Sequence, residues 1–278
     1  MKTGFVKRVG LVVLVMVGLL SIVSCATHKT SPKKSRAQLL AEVEQELQDK
    51  NQRLADKKSS CEIAFKKFNS LEFPDMFMRP HGVCEDCEEA DDECLMCQYY
   101  QCLRDIEIME KEIIELSLIY ANAWTKEYAT DPKYSLVYYW DPQSVDSQES
   151  LEKFLYVLTD PQFEERNQLA VVLVSAGTWD ELYPSLINVF YNLRAETPDL
   201  AQFLKEIRFQ MTTEQCGVAM PDKELPLLIV SKWGSEYPTA WHISAKEVFW
   251  TREVPGFARN SILALMMITE ISERENQE

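Results

Sequence analysis

From residue 35 onward the apolar positions follow two regimes. Between 35 and 128 they recur at intervals of three, four or seven. From 133 they arrive in short dense runs separated by stretches of helical period. The first regime opens on Ser35-Arg36-Ala37-Gln38. This fits a capping box, in which a serine hydroxyl takes the N3 amide and a glutamine returns the bond. Leu40, Val43, Leu47, Leu54, Cys61, Phe65 and Phe68 then form one stripe of a long helix. That helix is expected to end before Pro74, because the residue preceding a proline resists the helical region. A second stripe starts near Cys94 and runs through Leu103, Ile106, Met109, Ile113, Leu116, Tyr120 and Trp124 to the breaker "ATDPK". Two long amphipathic helices with a linker between them predict an antiparallel helical hairpin. The alternative is two helices packed separately onto the rest of the chain.

The second regime reads as α/β. "YSLVYYW" (134–140) is strand-like and aromatic, and "SQESLEKFLYVL" (147–158) has helical period. "QLAVVLVSAG" (168–177) is a continuous apolar run of the kind buried in a parallel sheet. "WDELYPSLINVFYNL" follows as a helix that tolerates Pro184 in its first turns. "IRFQM" (207–211) is a short strand. The run from Leu225 to Trp250 reads as a hairpin turning at 232–235, and "NSILALMMITEISE" is a closing helix. The predicted order is β-α-β-α-β, then β-β-α. The fold class is therefore α+β or α/β, with the helical hairpin at 35–132 and the α/β domain at 133–278.

Residues 1–34 carry a different signal. Lys2, Lys7 and Arg8 precede a short apolar run, "VGLVVLVMVGLL", and then "SIVSC". Basic start, apolar run and small residue before a cut make a secretory signal, here 1–24. The run is shorter than a comfortable membrane-spanning helix, although an uncleaved anchor is the competing reading. Ile22-Val23-Ser24-Cys25 resembles the lipobox of bacterial lipoproteins. That resemblance implies lipidation of Cys25, cleavage before it and acylation of the new amino terminus, so that acyl chains hold the protein to the membrane. Ala26 in place of an aspartate favours the outer membrane over the inner. Residues 25–34 would be a polar, basic tether.

An apolar content of 46% is that of a globular chain. The net charge of −15, or −18 once the three signal cations are lost, argues against nucleic acid and against adhesion of the protein body to anionic lipid. No GxGxxG or GxxxxGK[ST] is present, so a phosphate cradle is not expected. His28, His81 and His242 are the only histidines, which leaves little for a histidine-based triad. No catalytic residue and no cofactor is assigned. The expected partner, besides the membrane, is another envelope protein.

The cysteines hold the candidate chemistry. "CEDCEEADDECLMCQYYQC" (84–102) places five cysteines and seven acids in nineteen residues. With Cys61 and Cys216, and without lipidated Cys25, seven thiols remain, and an odd count leaves one unpaired or paired between chains. In an exported protein thiols tend to pair. A hairpin turning near 80–90 sets Cys61 and Cys102 at equal heights, so a bridge between them would clip the arms. Nested bridges Cys84–Cys97 and Cys87–Cys94 would staple the turn, although six cysteines allow fifteen connectivities. Zinc held by Cys84, Cys87, Cys94 and Cys97 is the sharpest rival, since two CxxC knuckles supply four thiolates, but over a spacer of only six residues. A catalytic dithiol in the same cluster is the third reading, which the surrounding acids oppose by disfavouring thiolate. The thiol enzyme and the zinc protein are the alternatives to a non-enzymatic structural or binding role. Cys216 is expected to be a buried thiol.

The order of elements and two segments resemble the thioredoxin fold. "LAVVLVSAGTWDELYPSLINVF" is similar to the strand leading into that family's active-site helix. "TTEQCGVAMPDKELPLLIVSKWGSE" is similar to its later segment, with Gly217 as the helix-end glycine and Pro226 as the cis-proline. Where the family carries WCxxC this chain has "GTWDELYP", with no cysteine, so the resemblance implies a redox-inactive domain.

Overall fold

A computed structural model describes residues 35–69, 95–221, 224–233, 241–244 and 255–277. The protein is mixed α+β, with six α-helices and a mixed five-stranded sheet among the described residues.

Helix α1, Arg36–Asn69, starts where the capping box puts it. Ser35 N donates to the Gln38 side chain at 2.9 Å, and Gln38 N donates to Ser35 Oγ at 3.2 Å. Helix α2, Leu95–Tyr128, lies antiparallel to it. Arg36 meets Glu127, Lys50 meets Glu112, Lys57 meets Asp105 and Cys61 is bonded to Cys102, so partner numbers fall on one helix as they rise on the other. The cysteine-rich turn expected between them lies outside the described residues.

The sheet is built from β1 (Tyr134–Trp140), β2 (Leu169–Ser175), β3 (Gln210–Thr213), β4 (Leu227–Lys232) and β5 (Trp241–Ser244), in the order β3-β2-β1-β4-β5. The first three strands are parallel, while β4 and β5 are antiparallel to their neighbours. Helix α3, Val145–Thr159, links β1 to β2. Helices α4, Trp179–Asn192, and α5, Leu200–Glu206, link β2 to β3, and α6, Pro255–Gln277, follows β5. Both parallel connections step in the same direction, so right-handed crossovers bring their helices to one face. The core confirms this. Leu136, Tyr138, Trp140, Val171, Leu173, Leu228 and Val230 share a buried cluster with side chains of α2 to α6. Alternate residues Val137, Val172 and Ile229 point to the other face and are only half-buried.

Helix α2 belongs to both parts of the molecule. Its sequence-legible stripe, with Ile113, Leu116, Tyr120 and Trp124, packs with Leu40, Val43 and Leu47 of α1. A second stripe, Ile114, Leu118 and Ala121, enters the sheet core. The helix also closes one sheet edge, where Asn122 Oδ1 accepts from Met211 N at 3.2 Å. Covering a strand edge in this way blocks further pairing along it.

Strand β3 is offset from the expected 207–211. Ile207 still caps α5, with its N–H on Phe203 and Lys205 carbonyls, and Arg208 takes a left-handed φ of 46°. That reversal delays the extended run until Gln210. Arg208 is held there by its guanidinium, which donates to the carbonyls of Thr130, Asn167 and Leu169. The helix α5 was not anticipated. Its signal is Asp199 with Gln202 three residues on: Asp199 Oδ1 accepts from Gln202 N at 3.0 Å.

Candidate functional site

Among the described site residues, the fold brings Cys61 and Cys102 together. Cys61 and Cys102 form a disulfide across α1 and α2, with Cα atoms 5.8 Å apart, inside the range that bridging needs. Cys97, one and a half turns before Cys102, is buried, and Cys216 is half-buried beside Thr213. Cys25, Cys84, Cys87 and Cys94 lie outside the described residues, and with them the zinc set and the nested bridges. Among the described residues no group of three or more His, Cys, Asp or Glu side chains is placed to hold a metal. None of the described helices is long and apolar enough to cross a membrane. His242 lies on the edge strand β5.

The carboxyl ends of β1 and β2 are a second place to look, since ligands of open α/β sheets bind there. The Leu225–Pro226 bond is cis, and Pro226 is buried at the head of β4. Tyr139 pairs with Leu227, so the segment that neighbours Pro226 is Trp140–Ser144 after β1. The "GTWDELYP" segment after β2 is one strand further away. Neither segment has a cysteine. Both helix starts are occupied by their own side chains. Ser144 accepts from Ser147 N, and Glu181 accepts from Thr178 N and from the Gln143 amide. The Thr178 backbone and hydroxyl hold the Glu181 carboxyl below its ordinary pKa. Gly177 fills the remaining space: a Cβ there would lie 2.7 Å from Pro142 Cγ. Trp140 Nε1 is buried without an acceptor. The Ser144 hydroxyl at the start of α3 and the Glu181 carboxylate at the start of α4 thus take backbone donors that an anion would use.

Among the described residues, a cleft of about 850 Å³ lies between α1, α2 and the segment 194–205. Leu47 and Leu54 of α1, Ile113 and Ile114 of α2 and Leu200 of α5 give it an apolar lining. Its charged groups are of both signs and are largely committed. Glu110 of α2 takes Lys58 of α1 on one oxygen at 2.7 Å and Arg194 on the other at 3.5 Å. Arg194 also stacks on the Tyr191 ring, 4.0 Å from its centroid. Toward the other end, Lys205 lies over the rings of Tyr120 and Trp124, 5.4 and 5.6 Å from their centroids. Cation–ring contacts of this kind fix an ammonium without neutralising it.

Next to the cleft wall, Glu115 of α2 sits in a costly environment. Burial raises its pKa first, and the Glu112 carboxylate raises it further, against a smaller opposing effect of Lys50. Its negative charge also helps to raise the already buried Tyr183 phenol of α4. Sequence reasoning missed Glu110, Arg194 and Lys205, because no short motif joins residues 58, 110, 194 and 205. No family model, no curated protein and no solved structure matches the chain.

Proposed function

We propose that the protein is a lipid-anchored envelope protein without a catalytic role, which receives a segment of a partner protein in the cleft between its disulfide-clipped helix pair and its α/β layer. The anchor is acylated Cys25 at the outer membrane, and the tether is 25–34. The helix pair, 35–132, is a hairpin closed by a cysteine-rich turn. The observation that carries the binding role is the cleft itself, about 850 Å³ in volume, with walls drawn from both parts of the molecule. A peptide segment suits it better than a small anion. Lys58 and Arg194 already face Glu110, and the apolar lining and the mixed charges fit side chains of a polypeptide.

The run from β1 to α6 is read as a redox-inactive relative of the thioredoxin fold. A β-α-β unit, then β-β-α with cis-Pro226 heading β4, supports this reading. The added edge strand β3 and the helices gathered on one face depart from it. The test of the binding role is site-specific photocrosslinking in cells. A benzophenone side chain at Asn51, on the cleft wall, is expected to yield one adduct of defined mass. Gln48→Trp, which fills the cleft, is expected to abolish it without changing helix content. Adducts that survive the filling, or none at all, would remove the cleft as the binding site.

A further inference from the structure

We propose that the segment received by the cleft carries an acidic side chain, Asp or Glu, seated between Lys58 and Arg194. The assignment rests on the binding role of the cleft and adds the chemistry of its occupant. Three cations and three acids line the cleft: Lys58, Arg194 and Lys205 against Glu44, Glu110 and Asp199. They are not evenly mixed. At the end nearer the disulfide, Lys58 and Arg194 share Glu110, at 2.7 and 3.5 Å, and neither meets another acid among the described residues. At the other end Lys205 lies over the Tyr120 ring, and two acids accompany it. Glu44 accepts from the Tyr120 hydroxyl, and Asp199 accepts from Gln202 N. One end therefore has two cations to one acid, and the other has one cation to two acids.

Exposure sharpens the contrast. The Glu110 side chain is only 14% exposed, whereas those of Lys58 and Arg194 are 51% and 48% exposed. The acid lies inside and the cations outside, so the surface an occupant meets at this end is positive. Donors also remain there. An ammonium has three and a guanidinium five. Lys58 gives one to Glu110, and Arg194 turns Nε to Glu110 and Nη1 to the Tyr191 carbonyl. A partner carboxylate opposite Glu110 would set cation and anion alternately around the cleft mouth, with charge-assisted hydrogen bonds from both sides. On a chain of net charge −15 this surplus is local. It fixes where along the cleft the acid sits rather than drawing in acidic proteins at large. Leu47, Leu54, Ile113 and Ile114 line the stretch between the two ends, so apolar residues follow the acid.

The experiment uses the full chain in cells, with the benzophenone at Asn51 as the probe. Lys58→Gln is expected to lower the yield of adduct about fivefold, the scale of one charge-assisted hydrogen bond at a partly wet site. Lys58→Arg should restore it. Lys57→Gln removes the same charge one residue away, from a lysine that faces Asp105 outside the cleft, and should leave the yield unchanged. Lys58 is seven residues from Asn51, about 10 Å along the helix, so an extended partner should carry its acid about three positions from the linked residue. Lys58→Glu alone, or a change of that partner acid to lysine alone, should lose the adduct, and the two together should recover it. An adduct indifferent to Lys58→Gln, or a linked peptide with no acid near that position, would overturn the proposal and leave the cleft as the binding site. Equal loss with Lys57→Gln would reduce the effect to overall charge and overturn it as well. No adduct in the parent would remove the cleft and the proposal together.

Discussion

Replacing Cys61 and Cys102 together by serine should loosen one half of the helix pair and leave the sheet in place. The bridge joins residues 41 apart in sequence. On the chain-entropy account a closed loop of that size contributes about 4 kcal/mol. The competing ties between α1 and α2 are ion pairs at Lys50–Glu112, Lys57–Asp105, Lys58–Glu110 and Arg36–Glu127. Their charged ends are partly solvated, which limits such pairs to about 0–1 kcal/mol each, and salt screens them. The apolar contact of α1 with α2 is concentrated at Leu40, Val43 and Leu47, near the sheet. Toward the bridge, Ile63, Phe65 and Leu103 are exposed. The distal helix ends therefore depend on the disulfide more than on any other described contact.

At about 2–4 °C per kcal/mol for a chain of this size, the serine pair should melt about 8–16 °C lower if the helices unfold with the sheet. If they open first, the loss appears as faster hydrogen exchange in 50–69 and 95–110, with 134–230 unchanged. Both readouts are made with and without reductant on the parent, and at low and high salt. An unchanged melt together with unchanged exchange would refute the reasoning. So would non-reducing peptide maps that pair Cys61 with any cysteine other than Cys102.

Three further outcomes are expected. Cys25→Ser should block lipid labelling and leave the precursor uncleaved, and normal processing of that variant would end the anchor reading. Leu118→Ala should cost about 3–5 kcal/mol in a denaturant melt, because Leu118 is fully buried where α2 enters the sheet core, whereas exposed Leu103→Ala should change stability by less than about 0.5 kcal/mol. Glu115→Gln should stabilise the protein at neutral pH. Its carboxyl has a raised pKa in the fold, so the charged form opposes folding above that value, and the parent gains stability as pH falls through it. The advantage of the glutamine should therefore shrink as the pH is lowered, and an advantage that grows on acidification would show that Glu115 is not the cause.

The sequence is legible where one side of an element is buried and the other is wet. Strand β1 coincides with its expected run, 134–140, and α1 begins at its capping box. The bridge between Cys61 and Cys102 was readable because both fall on facing stripes of antiparallel helices at matching distances from the turn. Helix α2 is harder, because it is buried on two sides. The stripe toward α1 was visible, while Ile114, Leu118 and Ala121 read as ordinary filling until the sheet was seen against them. Strand β3 was misplaced because a left-handed Arg208 leaves no mark in an apolar run; the conformation is fixed by carbonyls of residues 130, 167 and 169. The cleft was illegible for the same reason at larger scale. Its groups come from four separate segments, and only tertiary packing brings them together.

Glu110 ties the helix pair to the segment that follows α4. Its carboxylate lies between Lys58 on α1 and Arg194 after α4, and α2 itself is rooted in the sheet core. The disulfide sets where the distal part of α1 stands relative to α2, and Glu110 sets where both stand relative to residues 194–205. A neutral glutamine keeps the size of Glu110 but leaves Lys58 and Arg194 facing each other without an intervening charge. That repulsion acts across the cleft mouth, not within the core, so Glu110→Gln should widen the cleft while barely moving the melting temperature. Weaker partner capture with an unchanged melt would place the function in the geometry of these walls. A large loss of stability would instead make Glu110 a structural tie, and the width of the cleft a consequence of folding alone.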